Sequence, residues 1–311
     1  EDIEDVHENT YKLLENNLRE SRFNQLTSGE YGEANYNNVN VFQEQLSFYR
    51  SRIVYYSIPV LFSYFGLGIL DGFYLTSFLF SFISLILLYF ISIEFVPTKY
   101  VLFLPLFLSG MGFVSISRLS TPDSLACFGV LIIFYTMIKH RGKHLIFLPI
   151  IILFRRDLII FSILVISLQY FKTTFFDYKT FISLASCLVV YYISTSLSGH
   201  PGWLTVFSHT FDELILYPVS NTASVSIEEY LLALFSAARS SINNSGFTIF
   251  LFSSFTSCYV VLSNMDSFYD EVTINDSLCI LISSSLYIFM HILLFPAIWN
   301  RFFVPFYSTV V

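Results

Sequence analysis

Charged residues are scarce in this chain: they fill 13% of its 311 positions, about half the roughly 25% of an ordinary soluble domain. With hydrophobic residues at 55%, a water-facing surface cannot be built from the remainder, which excludes a soluble globular protein. Basic charge is the scarcer sign, with 16 Lys and Arg against 23 Asp and Glu and a formal net charge of −7. No basic stripe is present, so nucleic acid is excluded as a partner. Cysteine pairs at metal or redox spacing are also missing. Cys127, Cys187, Cys258 and Cys279 each stand inside an apolar run, where a thiol behaves as a small buried hydrophobe and not as half of a disulfide or a zinc ligand. There is no initiator Met and no charged start followed by a short apolar stretch and a cleavage site, so a native start upstream of Glu1 is expected.

What the chain has instead is long apolar runs. Residues 73–95, 180–197, 246–262 and 278–298 each carry at most one ionisable side chain and approach the ~20 residues a helix needs to cross a bilayer. A transmembrane barrel shows segments of about ten residues alternating apolar and polar. These runs are continuous, so α-helices are expected to satisfy the backbone in lipid. The expected fold is an all-α, polytopic transmembrane bundle.

Residues 1–52 read as a polar, acidic segment, with a short helix near Lys12 followed by a Gly-, Asn- and Tyr-rich stretch. The transmembrane part is expected over 53–311, with a long loop at about 199–245. Residues 53–70 are interrupted by Pro59, Gly66 and Gly68 and closed by Asp71-Gly72, a pattern that fits a helix lying along the interface better than a span. Cytoplasmic loops collect Lys and Arg. If 73–95 runs inward, Lys99, Lys139, Lys143, Lys172 and Lys179 all fall inside. The exoplasmic side then holds 1–50, 118–123, 155–157, 199–245 and 299–307. Stretch 145–154 is too short to cross, which predicts a watered, protein-lined cavity in the outer half of the membrane.

Ionisable residues at membrane depth are costly and tend to be paired or functional. Three groups qualify. In the first, Arg118-Leu-Ser-Thr-Pro-Asp123 precedes a span; Thr121 or Asp123 caps that helix, or Asp123 is a buried acid facing the cavity. In the second, Arg155-Arg156-Asp157 breaks two apolar half-spans. Adjacent guanidiniums can grip a phosphate bidentately, or else reach to headgroups with Asp157 pairing one of them. The third is Gly29-Glu30-Tyr-Gly-Glu33, followed by Tyr49-Arg50-Ser51-Arg52, where the carboxylates offer a general base or solubilising charge on a solvated loop. His200, His209, Asp212 and Glu213 match no metal spacing and read as surface or capping residues. The stretch from Trp299 to Tyr307, with Arg301, reads as an interfacial aromatic belt or a wall of the cavity.

In this order the motifs resemble those of the GT-C superfamily of membrane glycosyltransferases, which take a sugar from a polyprenyl-phosphate carrier. The resemblance rests on Glu30 and Glu33 in the first loop, Tyr49 to Arg52, Arg118 to Asp123, Arg156-Asp157 and Arg301 to Pro305, and is carried mainly by residues 28–157. The family's first loop has a clearer aspartate motif than Gly-Glu-Tyr-Gly-Glu. The resemblance implies a GT-C-like bundle with an exoplasmic first loop and interfacial helices. It implies Glu30, Glu33 and Asp123 as catalytic candidates, and Arg50, Arg52, Arg118, Arg155, Arg156, Asp157 and Arg301 as substrate-binding ones. The implied reaction is inverting transfer from a polyprenyl-phosphate-linked sugar to a glycan, lipid or protein acceptor, with a divalent cation left open. The implied place is a bacterial inner membrane, with the site on the periplasmic or exoplasmic face. An O-antigen polymerase or ligase, and a non-catalytic assembly or transport subunit, are the alternative readings.

Overall fold

A computed structural model describes residues 2–101, 103, 112–140, 142–172, 177–221, 223–244, 247–248, 251–256, 259 and 271–307. Every regular element among them is helical. The chain divides into two compact units, residues 1–51 with 195–233, and residues 52–194 with 234–311.

The first 51 residues form α1 (Ile3–Asn17), α2 (Glu20–Thr27), α3 (Gly29–Asn37) and α4 (Val39–Gln45), then a 3-10 turn, Leu46–Phe48. The Gly- and Asn-rich stretch expected to be irregular is therefore helical. Its poor helix propensity is overridden by tertiary packing: Tyr11 of α1 meets Tyr36 of α3 at 4.9 Å between ring centroids, and His7 meets Phe42 of α4 at 5.0 Å. Asn38 starts α4 by accepting from the amides of Asn40 and Val41 at 3.0 and 3.4 Å.

The chain continues through α5 (Ile53–Tyr64), α6 (Ile69–Ser92), α7 (Thr98–Val101), α8 (Val114–Ser117), α9 (Asp123–Lys139), α10 (His144–Phe154), α11 (Leu158–Lys172) and α12 (Tyr178–Ser198). It ends with α13 (Trp203–Phe211), α14 (Ile227–Asn243), α15 (Glu271–Leu294) and α16 (Asn300–Tyr307). The 199–245 segment thus carries two helices where a loop was expected, and α15 takes in Glu271 to Asp276, the end of the acidic stretch expected between spans. About half of 246–262 and of 100–117, Cys258 included, lies outside the described residues.

Among the described residues, three helices are long and apolar enough to cross a membrane: Ile69–Ser92, Tyr178–Ser198 and Asp276–Leu294, of 24, 21 and 19 residues. Their outer surfaces suit lipid. On α6 the exposed face is Phe78, Phe82, Ile86 and Phe90, while Ser77, Ser81, Ser84, Leu88 and Ser92 are buried. Small inward residues let helices approach in the absence of a hydrophobic drive between them. Ser81 of α6 bonds Ser124 of α9 at 3.2 Å, and Ser124 bonds the Ile116 carbonyl at 3.0 Å. These apolar, lipid-suited helices indicate a membrane protein.

Helix α5 has 12 residues, about 18 Å at 1.5 Å per residue, too short to cross ~30 Å of hydrocarbon. Tyr64 and Phe65 at its end are largely exposed, and Gly66, at φ +86°, makes the turn into α6 in a conformation that only glycine adopts freely. Helix α9 is the centre of the second unit, packed by α6, α10, α15 and α16. Its Gly129 lets α10 approach: a Cβ there would stand 2.8 Å from Ile151 and 2.9 Å from Phe154.

Candidate functional site

Helix packing in the second unit brings together charges that are far apart in sequence. Helix α9 begins at Asp123 directly after Pro122, where a proline-fixed backbone and the absence of earlier helical amides suit a helix start. Helix α10 ends at Phe154, and the break at 155–157 turns the chain back into α11. Tyr287 and His291, four residues apart on α15, lie on one face of that helix.

Arg155 is the hub. Its Nη1 donates to Asp123 Oδ1 at 3.1 Å and its Nε to Asp157 Oδ1 at 3.0 Å. Its Nη2 donates to Asp157 Oδ2 and to the Tyr287 hydroxyl, the latter at 3.3 Å. Tyr287 in turn donates to Asp157 Oδ2. Phe302 of α16 lies across the guanidinium, 4.5 Å from its ring centroid to Cζ. Arg155 and Asp123 are only 8% and 3% exposed, so their charges rest on each other rather than on water.

Asp123 is engaged on both oxygens. Thr121 Oγ1 donates to Oδ2 at 2.7 Å, and Arg301 Nε stands 3.9 Å from the same oxygen. Thr121 thus bonds the Asp123 side chain and makes no cap to a helix amide, and α9 has no side-chain cap. Arg301 stacks on Trp299 and Phe302 at 4.8 and 5.1 Å and stays partly exposed. Arg156 makes no hydrogen bond or ion pair among the described residues. It is half-buried and feels the charges of Arg52 and Asp157 and the Tyr191 hydroxyl.

Of the residues singled out in the sequence, Asp123, Arg155, Asp157 and Arg301 converge. Arg118, at the end of α8, is exposed and makes no ion pair among the described residues. Glu30, Glu33 and Arg50 are exposed and belong to the first unit. Sequence reasoning missed Tyr287 and His291. The available signal was their spacing of four inside an otherwise apolar run, the mark of two polar groups on one helix face. Among the described residues no group of three or more His, Cys, Asp and Glu could hold a metal ion.

The first unit has its own polar contacts. Glu44 accepts from the amides of Val219 and Ser220 at 2.9 and 3.0 Å and from the Ser220 hydroxyl. Partial burial raises the Glu44 carboxyl, but those bonds outweigh it and leave the pKa below its usual range. Gln45 donates to the Ile215 and Leu216 carbonyls at 2.8 and 3.1 Å. His200 Nδ1 accepts from the Gly202 amide at 3.1 Å and His209 Nδ1 from the Ile215 amide at 3.2 Å, so both histidines tie loop backbone. Burial pushes the His209 imidazole below its ordinary value.

Fold and site together define an all-helical chain with membrane-type helices, in which a buried carboxylate–arginine cluster joins the ends of α9, α10 and α16 to α15. No known protein family, curated protein or solved structure matches the chain.

Proposed function

We propose that the chain is a GT-C-like polytopic membrane glycosyltransferase that moves a sugar from a polyprenyl-phosphate carrier to an acceptor hydroxyl on the exoplasmic face, with inversion at the anomeric carbon. The observation that supports this most is the unequal use of the arginines. Arg155 is bound on both sides by carboxylates, whereas Arg156, half-buried, makes no ion pair among the described residues. A half-buried guanidinium that no carboxylate pairs is favourable ground for an anion. A phosphate monoester or diester at a lipid surface is that anion, and the planar guanidinium binds it through paired N–H groups.

In this reading Arg155 is a structural ion that fixes the loop carrying Arg156. Asp123, with both oxygens engaged, orients Arg155 and Arg301. The carrier's tail lies among the helices, and the partly exposed Arg301 stacked on its two aromatic rings faces the sugar side. The lysine distribution supplies the orientation, with the 155–157 break on the exoplasmic side.

Binding of a labelled polyprenyl phosphate to the purified chain in nanodiscs tests the arginine assignment. Arg156→Lys is expected to weaken binding about tenfold or more, because the fork is lost while the charge is kept; Arg118→Lys is expected to leave it unchanged. Equal binding by wild type and Arg156→Ala would remove the phosphate site.

A further inference from the structure

His291 is a buried imidazole with one nitrogen beside a carboxylate and the other left over. Its Nδ1 faces Asp157 Oδ2 at 3.6 Å. Its Nε2 is buried and has no hydrogen-bond partner. The ring is only 5% exposed and is enclosed by Tyr287, Phe302 and Phe303 at 5.7, 5.3 and 5.4 Å between centroids. A polar atom buried without a partner is costly and rare in native structures. If His291 only filled space, a phenylalanine, like its neighbours, would serve without that cost.

The environment also sets the tautomer. The charged groups facing the ring are Asp157 and Arg155, both from the 155–157 break, and the Tyr287 hydroxyl lies on its own helix. With Asp157 on the Nδ1 side, electrostatics favour the ring proton at Nδ1, which would leave a lone pair on Nε2. Such an arrangement orients a base. Asp157 is itself held by Arg155 and Tyr287, so the imidazole is steered by a group that cannot swing away. Phe302 is half exposed and lies against both the Arg155 guanidinium and the His291 ring.

We propose that His291, and not one of the carboxylates Glu30, Glu33 or Asp123, is the proton acceptor of the site, a proposal that rests on the transferase reading above. The acceptor O–H bond breaks and its proton goes to Nε2. The acceptor oxygen forms its bond to the anomeric carbon, and the anomeric C–O bond to the carrier breaks, its electron pair leaving on the phosphate oxygen. Water then takes the proton from His291.

The experiment uses the full chain in nanodiscs with a polyprenyl-phosphate sugar donor, comparing wild type, His291→Gln, His291→Phe and the Glu30→Gln/Glu33→Gln double variant. Both His291 variants are expected to lose about 10² to 10⁴ in kcat, the usual contribution of a positioned base, while carrier binding stays at the wild-type value and the melting temperature of His291→Phe does not fall below it. A rise of kcat with pH is expected in wild type and is expected to be absent from the residual rate of the His291 variants, while the double Gln variant keeps its turnover. An active wild type with His291→Gln or His291→Phe at full turnover overturns the assignment of His291 alone, as does an unchanged pH profile. An inactive wild type overturns the transferase reading and the proton transfer with it. Histidine labelled with ¹⁵N gives a readout free of turnover: Nδ1–H is expected in the resting protein, and an Nε2–H tautomer contradicts the proposal.

Discussion

A buried guanidinium between two carboxylates has a defined cost when it is removed. Arg155→Met would leave Asp123 and Asp157 without their main partner, and breaking a buried pair from one side costs about 3–5 kcal/mol. Thermal unfolding in detergent is expected to show a loss of that size. Adding Asp123→Asn to Arg155→Met recovers part of it, because one uncompensated charge is gone. Arg118→Ala, at an exposed position, is expected to change stability by less than about 0.5 kcal/mol. A second residue-scale effect is set by pH. His209 accepts the Ile215 amide at Nδ1, a bond that requires that nitrogen unprotonated, and its folded pKa lies below the ordinary 6.5. The unfolded chain therefore takes up the proton first as pH falls, so the contribution of His209 is complete above pH 6.5 and is lost on the way down to the folded pKa. Melting temperatures at about pH 5 and about pH 7.5 check this: His209→Asn is expected to narrow the gap between them, and an unchanged gap would contradict the assignment. At this scale the sequence exposed the charged residues, because ionisable groups stand out in apolar runs. It did not expose their partners. Nothing in the composition of 278–298 says that Tyr287 and His291 face Asp157, since that depends on the rotation of α15 against α11.

At the scale of elements, the apolar runs named the helices but not their edges. Runs 73–95 and 278–298 correspond to α6 (Ile69–Ser92) and α15 (Glu271–Leu294), displaced because helix ends are set by turns and caps rather than by hydropathy. Helices in the polar segment were harder to read. Helix α3 is rich in Gly, Asn and Tyr, and tertiary contacts such as the packing of Tyr11, Tyr36 and Phe23 reward its formation. A tight approach between elements in the second unit is at Gly129. Gly129→Ala would set a methyl group 2.8 Å from Ile151, inside contact distance, and should cost about 1–3 kcal/mol by overpacking although alanine is the better helix former. A melting temperature at or above wild type would show that α10 can yield at this contact.

For the whole molecule, the lysine asymmetry makes a topological statement that the helices alone do not. Single cysteines at Asn38 and Gly142, in a background without the native four, are expected to differ in labelling from outside intact cells, Asn38 reacting and Gly142 not. Equal labelling of both would reverse or abolish the orientation on which the exoplasmic site depends. The central claim is that the arginines around the 155–157 break serve a lipid-linked phosphate sugar. The direct measurement is incubation of the purified wild-type chain in nanodiscs with a panel of radiolabelled polyprenyl-phosphate sugars and a membrane extract as acceptor source, following both fates of the donor. The account predicts that at least one donor releases its polyprenyl phosphate while the label appears in a product of inverted anomeric configuration. Release of no carrier from any donor, by protein that binds polyprenyl phosphate and melts cooperatively, would contradict it.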